Sequence, residues 1–363
     1  MRRSIAFVGP LPPPLNGFSN VCAMMLEMLR SNGEVRVFDR APKHKQPRQL
    51  ITQLLLPLQY AALCLRRRDV VLYLALSGAY GQIYDWLYVL VSKVLRRPIY
   101  VHHHSFAYIY HPTRLNHWFF AWVRSANHIV LSRSMGEALV SLYGLNPACV
   151  KAVSNAAFYT SAEASRPVLA AREPLQLGYL SNITFEKGIV EFFSILDRLR
   201  EMRIEYRAHI AGPVAEEARE TFEKLLSGAS QVEYAGPVFG EAKDAFYRQL
   251  DVFLFPTKYA NEAEPLVVYE AMRQGVYVIA CERGAISEML RNGAGVAFAQ
   301  NKIIESAAAQ IAAFDRDREL LRSAQKMSSL QAQRIRTSGR TELDTLLNRM
   351  QGTAPAENCA GVA

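Results

Sequence analysis

Residues 251–280 read DVFLFPTKYANEAEPLVVYEAMRQGVYVIA. Two short apolar runs, 252–255 and 276–280, enclose a polar loop and a segment with helical spacing. That pattern predicts strand, loop, helix, strand. Pro265 stands at the first helical turn and Gly275 just past the last, the residues that suit those ends of a helix. A buried strand followed by a helix and another strand is the repeating unit of a parallel sheet with helices on its faces.

The same alternation extends outward in both directions. IAFVG (5–9), EVRVFD (34–39), DVVLYLAL (69–76) and PIYVHHH (98–104) read as strands, alternating with helical patterns such as 21–30 and 83–95. HIVLS, MGEALVSLYG and VKAVSNA continue it, and then residues 160–173 lose all apolar periodicity and read as a linker. A second series follows: LQLGYLSN, a helix whose Ile189, Phe192, Phe193, Leu196 and Leu199 share one face, then YRAHIAG, VEYAG and the opening motif. The expected fold is α/β, with two doubly wound, Rossmann-like domains over 1–165 and 166–335. Residues 336–363 are expected to be a C-terminal helix returning toward the first domain plus a frayed tail. In such sheets ligands sit beyond the carboxyl ends of the strands, so the loops there, and a cleft between two such domains, are where a site is expected.

The composition agrees. At 363 residues, half of them hydrophobic and 21% charged, the chain is too long for a disulfide scaffold and too apolar for disorder. Cys22, Cys64, Cys149, Cys281 and Cys359 are odd in number and widely spaced, which predicts unpaired thiols in a reducing cytoplasm and no zinc site. The run of apolar residues after Arg2 and Arg3 is too short for a signal peptide. The longest greasy segment, 51–65, falls short of the roughly 20 residues a membrane span needs. Charge is lopsided: residues 1–165 carry 18 Lys and Arg against 7 Asp and Glu, and the remainder 24 against 26. A basic first half predicts an anionic partner there, whether lipid headgroups, a phosphorylated substrate or nucleic acid.

Within the opening motif, the N–H groups of Leu266, Val267 and Val268 at the helix start could receive a phosphate on the positive end of the helix dipole. Glu262 precedes the helix and Glu270 lies one turn inside it, so both carboxylates could approach one ligand. On spacing alone, two solvated acids is the simpler reading. Lys187 enters a helix at Gly188, which places an ammonium beside a second helix start. His102, His103 and His104 end a strand. Neighbours on a strand point to opposite sides and cannot all converge on one ion, so no metal site is expected. Gly17, after three prolines and Asn16, reads as a turn where backbone could approach a ligand.

Taken together these stretches resemble the retaining glycosyltransferases of family 4, of GT-B fold. The spacing Glu262 to Glu270 around PLVVYEAM resembles their E-x7-E signature. GPLPPPLNGFSN resembles the glycine-containing first loop, ANHIVLSRSMGEALVSLYG with VKAVSNA the end of the acceptor domain, and SNITFEKG the phosphate-lysine loop. HIAGP, VEYAGPV, which ends at Val238, and GAISEML follow in the order of the nucleotide domain. The resemblance implies an acceptor-binding first domain and a second domain binding a nucleoside diphosphate sugar. It implies transfer to a hydroxyl with retention, without metal or cofactor. Lys187, Asn182, Gly17, Pro265, Leu266, Val267 and Val238 would contact the donor, Glu270 its ribose and Glu262 its sugar, with His104 at the sugar from the first domain. Asn182 stands where the family usually has an arginine and Phe18 where it often has a second glycine, so Lys258 or Arg283 is expected to share the diphosphate charge. Ser77, Gly78 and Tyr80 could line the acceptor side.

Two stretches bear on partners: 51–65, between Lys43, Lys45, Arg48 and Arg66–Arg67–Arg68, and RLNHWFFAWVR (114–124). Aromatics and cations together fit a helix on anionic lipid, although core packing gives similar faces. The implied setting is a lipid-linked or oligosaccharide acceptor in bacterial surface polysaccharide synthesis. The enzyme would be cytoplasmic and peripheral on the inner face of the membrane. The alternatives are a catalytically silent nucleotide-sugar-binding partner, another GT-B enzyme such as an epimerase, or a basic nucleic-acid-binding protein, for which no recognition module is present.

Overall fold

The computed structural model describes residues 2–13, 16–41, 48–76, 78, 81–159 and 174–354. The chain divides into two compact units, Met1–Thr160 with Arg336–Ala363, and Ser161–Ile335. The expected linker at 160–173 lies outside the described residues, as do Lys43, Lys45, Ser77, Tyr80 and Cys359.

In the first unit six parallel strands form one sheet: β1 (Ser4–Gly9), β2 (Val35–Asp39), β3 (Val70–Leu76), β4 (Ile99–His103), β5 (Asn127–Val130) and β6 (Val150–Ala152), in the order β2-β1-β3-β4-β5-β6. Every residue of β1, β3 and β4 is buried, which is why these strands read as unbroken apolar runs rather than alternating ones. The connecting helices are α1 (Gly17–Asn32), α2 (Arg48–Arg66), α3 (Gln82–Val94), α4 (Ala107–Tyr110), α5 (Arg114–Val123) and α6 (Arg133–Tyr143). The connection from β1 to β2 runs opposite to the later ones. Right-handed crossovers therefore put α1 on one face and α2, α3, α5 and α6 on the other, where they pack in that succession.

The second unit repeats the plan with β7 (Leu175–Leu180), β8 (Tyr206–Ala211), β9 (Val232–Tyr234), β10 (Val252–Phe255), β11 (Tyr277–Cys281) and β12 (Gly295–Phe298), ordered β12-β11-β10-β7-β8-β9 and all parallel. Its helices are α7 (Ile189–Glu201), α8 (Arg219–Ser227), α9 (Gly240–Arg248), α10 (Leu266–Arg273), α11 (Ile286–Met289), α12 (Ile303–Arg316) and the first half of α13 (Arg318–Gln351), whose residues from Arg336 on belong to the first unit. The α7 face read from the sequence is buried in the core with Leu175, Leu177, Val252, Leu254 and Ile279. Both units are thus Rossmann-like. Residue 336 is interior to α13, not a helix start, because nothing between Arg318 and Gln351 is a helix breaker strong enough to stop it; Gly339 is the one glycine within.

Among the described cysteines, Cys22, Cys64 and Cys281 are free and buried. Cys149 is disulfide-bonded, contrary to the sequence expectation, since separation along the chain does not report separation in space. No helix among the described residues is long and apolar enough to cross a membrane.

Candidate functional site

In the second sheet the chain winds outward from β7 through β8 to β9, then returns to build β10 on the other side of β7. The crevice between β7 and β10 is therefore the topological switch point, where loops leave in opposite directions and open a pocket-forming gap at the carboxyl edge. Lys187 follows β7 and Glu262 follows β10. Across that gap Lys187 Nζ donates to Glu262 Oε2 at 2.6 Å. The carboxylate is buried, and the fully buried Thr257 hydroxyl also donates to Oε2, at 3.2 Å. The ammonium stands 4.5 Å above the Tyr259 ring and 5.7 Å from that of Phe255, so aromatic faces supply further negative potential.

Two glycines set this geometry. Gly188 has φ +85°, and a Cβ there would lie 2.1 Å from the Pro256 carbonyl oxygen. Gly284 has φ +53°, and its Cβ would meet the carbonyl oxygens of Ala263 and Glu262 at 2.2 and 2.5 Å. The loop carrying Glu262 is thus held between two backbones that only glycine lets approach.

Pro265 is the N-cap of α10 rather than its first helical residue. Leu266 and Val267 are the first helical residues, whose N–H groups lie ahead of the intrahelical ladder. Val268, expected to be free as well, donates to the Pro265 carbonyl at 3.1 Å, because the first turn is tightened. Glu270, one turn on, is buried and has a lysine of its own: Lys243 Nζ reaches its Oε1 at 2.5 Å and the Tyr247 hydroxyl its Oε2 at 3.3 Å. The two carboxylates are each neutralised by a separate lysine.

The other candidates lie on neighbouring loops. Asn182 is exposed in the bend after β7, and Val238 is half-buried on the separate connection from β9 to α9. Lys258 does not join Lys187 but pairs with Glu191 at 2.6 Å, and Arg283 donates to Gln300 at 2.8 Å. The sequence has one D-x-D spacing, Asp315 to Asp317. Asp315 there pairs with Arg318, while Asp317 caps α13 by accepting from the N–H groups of Glu319 and Leu320. Thr257, Tyr259, Lys243 and Tyr247 were missed. Thr257 and Tyr259 lie in the loop beyond β10, where strand alternation no longer applies, and so carry no periodic signal. Lys243 sits on a helix of mixed charge and carries no local signal.

The first unit gathers its own candidates. Gly17 is the first residue of α1, not a turn glycine. The turn chemistry is done by Asn16, whose side chain accepts from the Ser19 N–H while the Ser19 hydroxyl accepts from the Asn16 N–H. A Cβ on Gly17 would meet nothing within 4 Å. Next to it, Phe18 packs against His104 with the rings tilted by 40° and their centroids 4.8 Å apart, so the residue in place of a second glycine lies on the histidine. His104 faces His102 at 4.0 Å, on the same side of the strand end as period two requires. Its Nε2 is buried without a hydrogen-bond partner among the described residues, and burial pushes its pKa down to about 3.

His103 points the other way, into a chain whose tautomers can be read off. His128 Nε2 lies 2.9 Å from the Val123 carbonyl, which can only accept. His128 Nδ1 must then accept from His103 Nε2 at 3.0 Å, and His103 Nδ1 accepts from the Tyr108 hydroxyl at 2.8 Å. Burial holds both rings neutral, with the His128 pKa pushed down to about 4. Among the described residues no three His, Cys, Asp or Glu side chains are grouped to hold a metal.

Residues 161–329 match the family of glycosyl transferases group 1. The match covers the second unit and includes Lys187, Glu262 and Glu270. None of the curated proteins matches the chain by sequence. Solved structures similar to the chain include a glycosyltransferase from Rickettsia africae (TM-score 0.75, 10% identity, 97% of this chain and 100% of that one). Anabaena HepE in complex with UDP is similar too (0.71, 15%, 95% and 100%), as is the lipopolysaccharide outer core galactosyltransferase WaaB (0.69, 14%, 97% and 100%). These likenesses span both units and give the fold as GT-B: two Rossmann-like domains in one chain.

Proposed function

We propose that this chain is a retaining, metal-independent glycosyltransferase that moves a sugar from a nucleoside diphosphate sugar to a hydroxyl. The observation that carries the reading is the Lys187–Glu262 pair, set at the switch point of the group 1 domain beside the start of α10. Departure of a nucleoside diphosphate builds negative charge on the β-phosphate and positive charge at the anomeric carbon. Lys187 and the N–H groups of Leu266 and Val267 would meet the first, and Glu262 would hold sugar hydroxyls and steady the second. Glu270, fixed by Lys243 and Tyr247, would accept from the ribose hydroxyls, and Pro265 would set the direction of the α10 start. The parts assigned to His104, Gly17, Asn182 and Val238 rest on the family resemblance, as does retention. For acceptor, a lipid-linked or oligosaccharide precursor of bacterial surface polysaccharide fits the basic first unit and its amphipathic helices, with the enzyme cytoplasmic and peripheral at the membrane.

The test is to screen nucleoside diphosphate sugars for thermal stabilisation of the pure protein, since a ligand that binds the folded state raises its melting point. The donor found would then be followed for hydrolysis or transfer, and the product's anomeric configuration read by NMR. Turnover lost in Glu262→Ala supports the reading. A donor bound by both proteins but consumed by neither would reassign the chain as a silent binding partner.

A further inference from the structure

We infer that the outer face of the layer formed by α2, α3 and α5 is a docking surface for an anionic lipid bilayer. This rests on the membrane setting proposed above and names the surface that would provide it, but it does not depend on the catalytic reading.

The amphipathicity of α2 is inverted relative to an ordinary surface helix. Its buried stripe is Gln53, Pro57, Tyr60 and Cys64, whereas Ile51, Leu54, Leu55, Leu58 and Leu65 form the outward stripe, each about half exposed or more. In α3, Ile83, Leu90 and Val94 repeat the pattern, at the i, i+7, i+11 spacing of a single face. In α5, Arg114, Trp118 and Trp122 follow one another at i, i+4 and i+8, all exposed, while Phe119, Phe120 and Val123 fill the core. Because α2, α3 and α5 pack side by side on the same face of the sheet, these stripes are neighbours. Large exposed hydrophobics described in the first unit all fall on α2 to α5; α1 and α6 have none, and those of the second unit are scattered singly. A patch this concentrated calls for a partner.

Charge decides which partner. Residues 48–124 contain nine Arg and Lys and only two acids, Asp69 and Asp85. Both acids are engaged, Asp69 with Arg67 and the fully buried Asp85 with Arg40. Arg66, Arg68, Lys93, Arg96, Arg114 and Arg124 are exposed, and among the described residues none pairs with a carboxylate. Arg66, Arg68, Lys93 and Arg96 gather at the carboxyl ends of α2 and α3 beside Leu65 and Val94, and Lys93 stands 5.9 Å over the Trp122 ring. A second copy of this face would set cation against cation with no acid to answer. Apolar side chains and tryptophans rimmed by unopposed cations suit the boundary between acyl chains and anionic headgroups.

Full-length protein is sedimented with phosphatidylglycerol/phosphatidylcholine vesicles and with pure phosphatidylcholine vesicles. Binding to the anionic vesicles alone, weakened by added salt, is expected. Leu54→Ser with Leu58→Ser and, separately, Trp118→Ser with Trp122→Ser should each lower partitioning about tenfold or more. Arg66→Gln with Arg68→Gln and Arg96→Gln, all on exposed positions, should do the same by charge while leaving the melting temperature unchanged. Absence of binding, or binding that these variants do not alter, overturns the proposal. So does dimerisation without vesicles that the leucine and tryptophan variants abolish. Vesicle binding is read without turnover, so an inactive protein that still binds would sink the catalytic reading and leave this one standing.

Discussion

Lys187 Nζ and Glu262 Oε2 meet at 2.6 Å across the switch point of the second sheet, one residue following β7 and the other β10. Each is the other's counter-ion, so a bound diphosphate must take over or share the ammonium. If the ammonium supplies positive charge to the leaving group, Lys187→Ala should lower kcat by about two to three powers of ten, as losing one preset donor to a developing anion does. Lys187→Met should also cost about 1–3 kcal/mol of stability, discounted from a fully buried pair because the lysine side chain is 20% exposed. Most of that should return in the double variant Lys187→Met/Glu262→Gln. Steady-state kinetics and urea melts check both halves, and unaltered kcat in Lys187→Ala would remove the lysine from the chemistry.

Gly188 and Gly284 should be far more sensitive than glycines of positive φ that stand in open space, such as Gly144 and Gly236. Gly188→Ala forces a methyl to 2.1 Å from the Pro256 oxygen in a left-handed conformation, and backbone cannot retreat as a side-chain tip can. A loss of about 2 kcal/mol or more is expected, or about 4–8 °C in melting temperature. Gly144→Ala, at φ +63° with open space around it, should cost only about 1 kcal/mol. Equal shifts in the two variants would show that strain, and not the close approach, sets the cost.

Most strands, and with them both sheets, were legible because a buried strand reads as an apolar run and a packed helix as one apolar stripe; β3 and α7 are examples, whereas the half-buried β12 and the small-residue helix α12 were not read. The site was legible where a loop immediately follows such a strand, as with Lys187 and Glu262. What could not be read was long-range pairing. Lys243, 27 residues before Glu270, meets it only because α9 and α10 pack together. The pairing of Lys258 with Glu191, on a helix 67 residues away in sequence, was equally out of reach. The exposed leucines of α2 have the period of a core stripe, and period alone does not say which stripe faces the sheet.

Lys243→Ala should weaken nucleotide binding through Glu270 rather than by direct contact. It removes the cation from a carboxylate only 2% exposed, so a stability loss of about 1–3 kcal/mol should accompany the weaker binding. In Lys243→Ala/Glu270→Gln the stability should recover while nucleotide affinity stays low. Nucleotide titration by calorimetry beside urea melts separates the two effects. Full affinity in Lys243→Ala alone would show that Glu270 needs no positioning cation.

Stability should fall as pH drops below about 6.5, the ordinary histidine value. The buried rings of His103 and His128 are held neutral, and His128 takes no proton until about pH 4. The unfolded chain does take one near pH 6.5, so between those values unfolding binds protons and becomes easier on acidification. For His128 alone the slope of about 1.4 kcal/mol per pH unit sums to about 3 kcal/mol over that window. The contribution is intact above pH 6.5 and is exhausted below about pH 4. Urea midpoints from pH 7.5 to 5 should therefore decline, and less steeply in His128→Gln, whose amide does not titrate. Parallel slopes in the two proteins would mean that other groups carry the acid sensitivity and that the His128–His103–Tyr108 chain is not what acid disrupts.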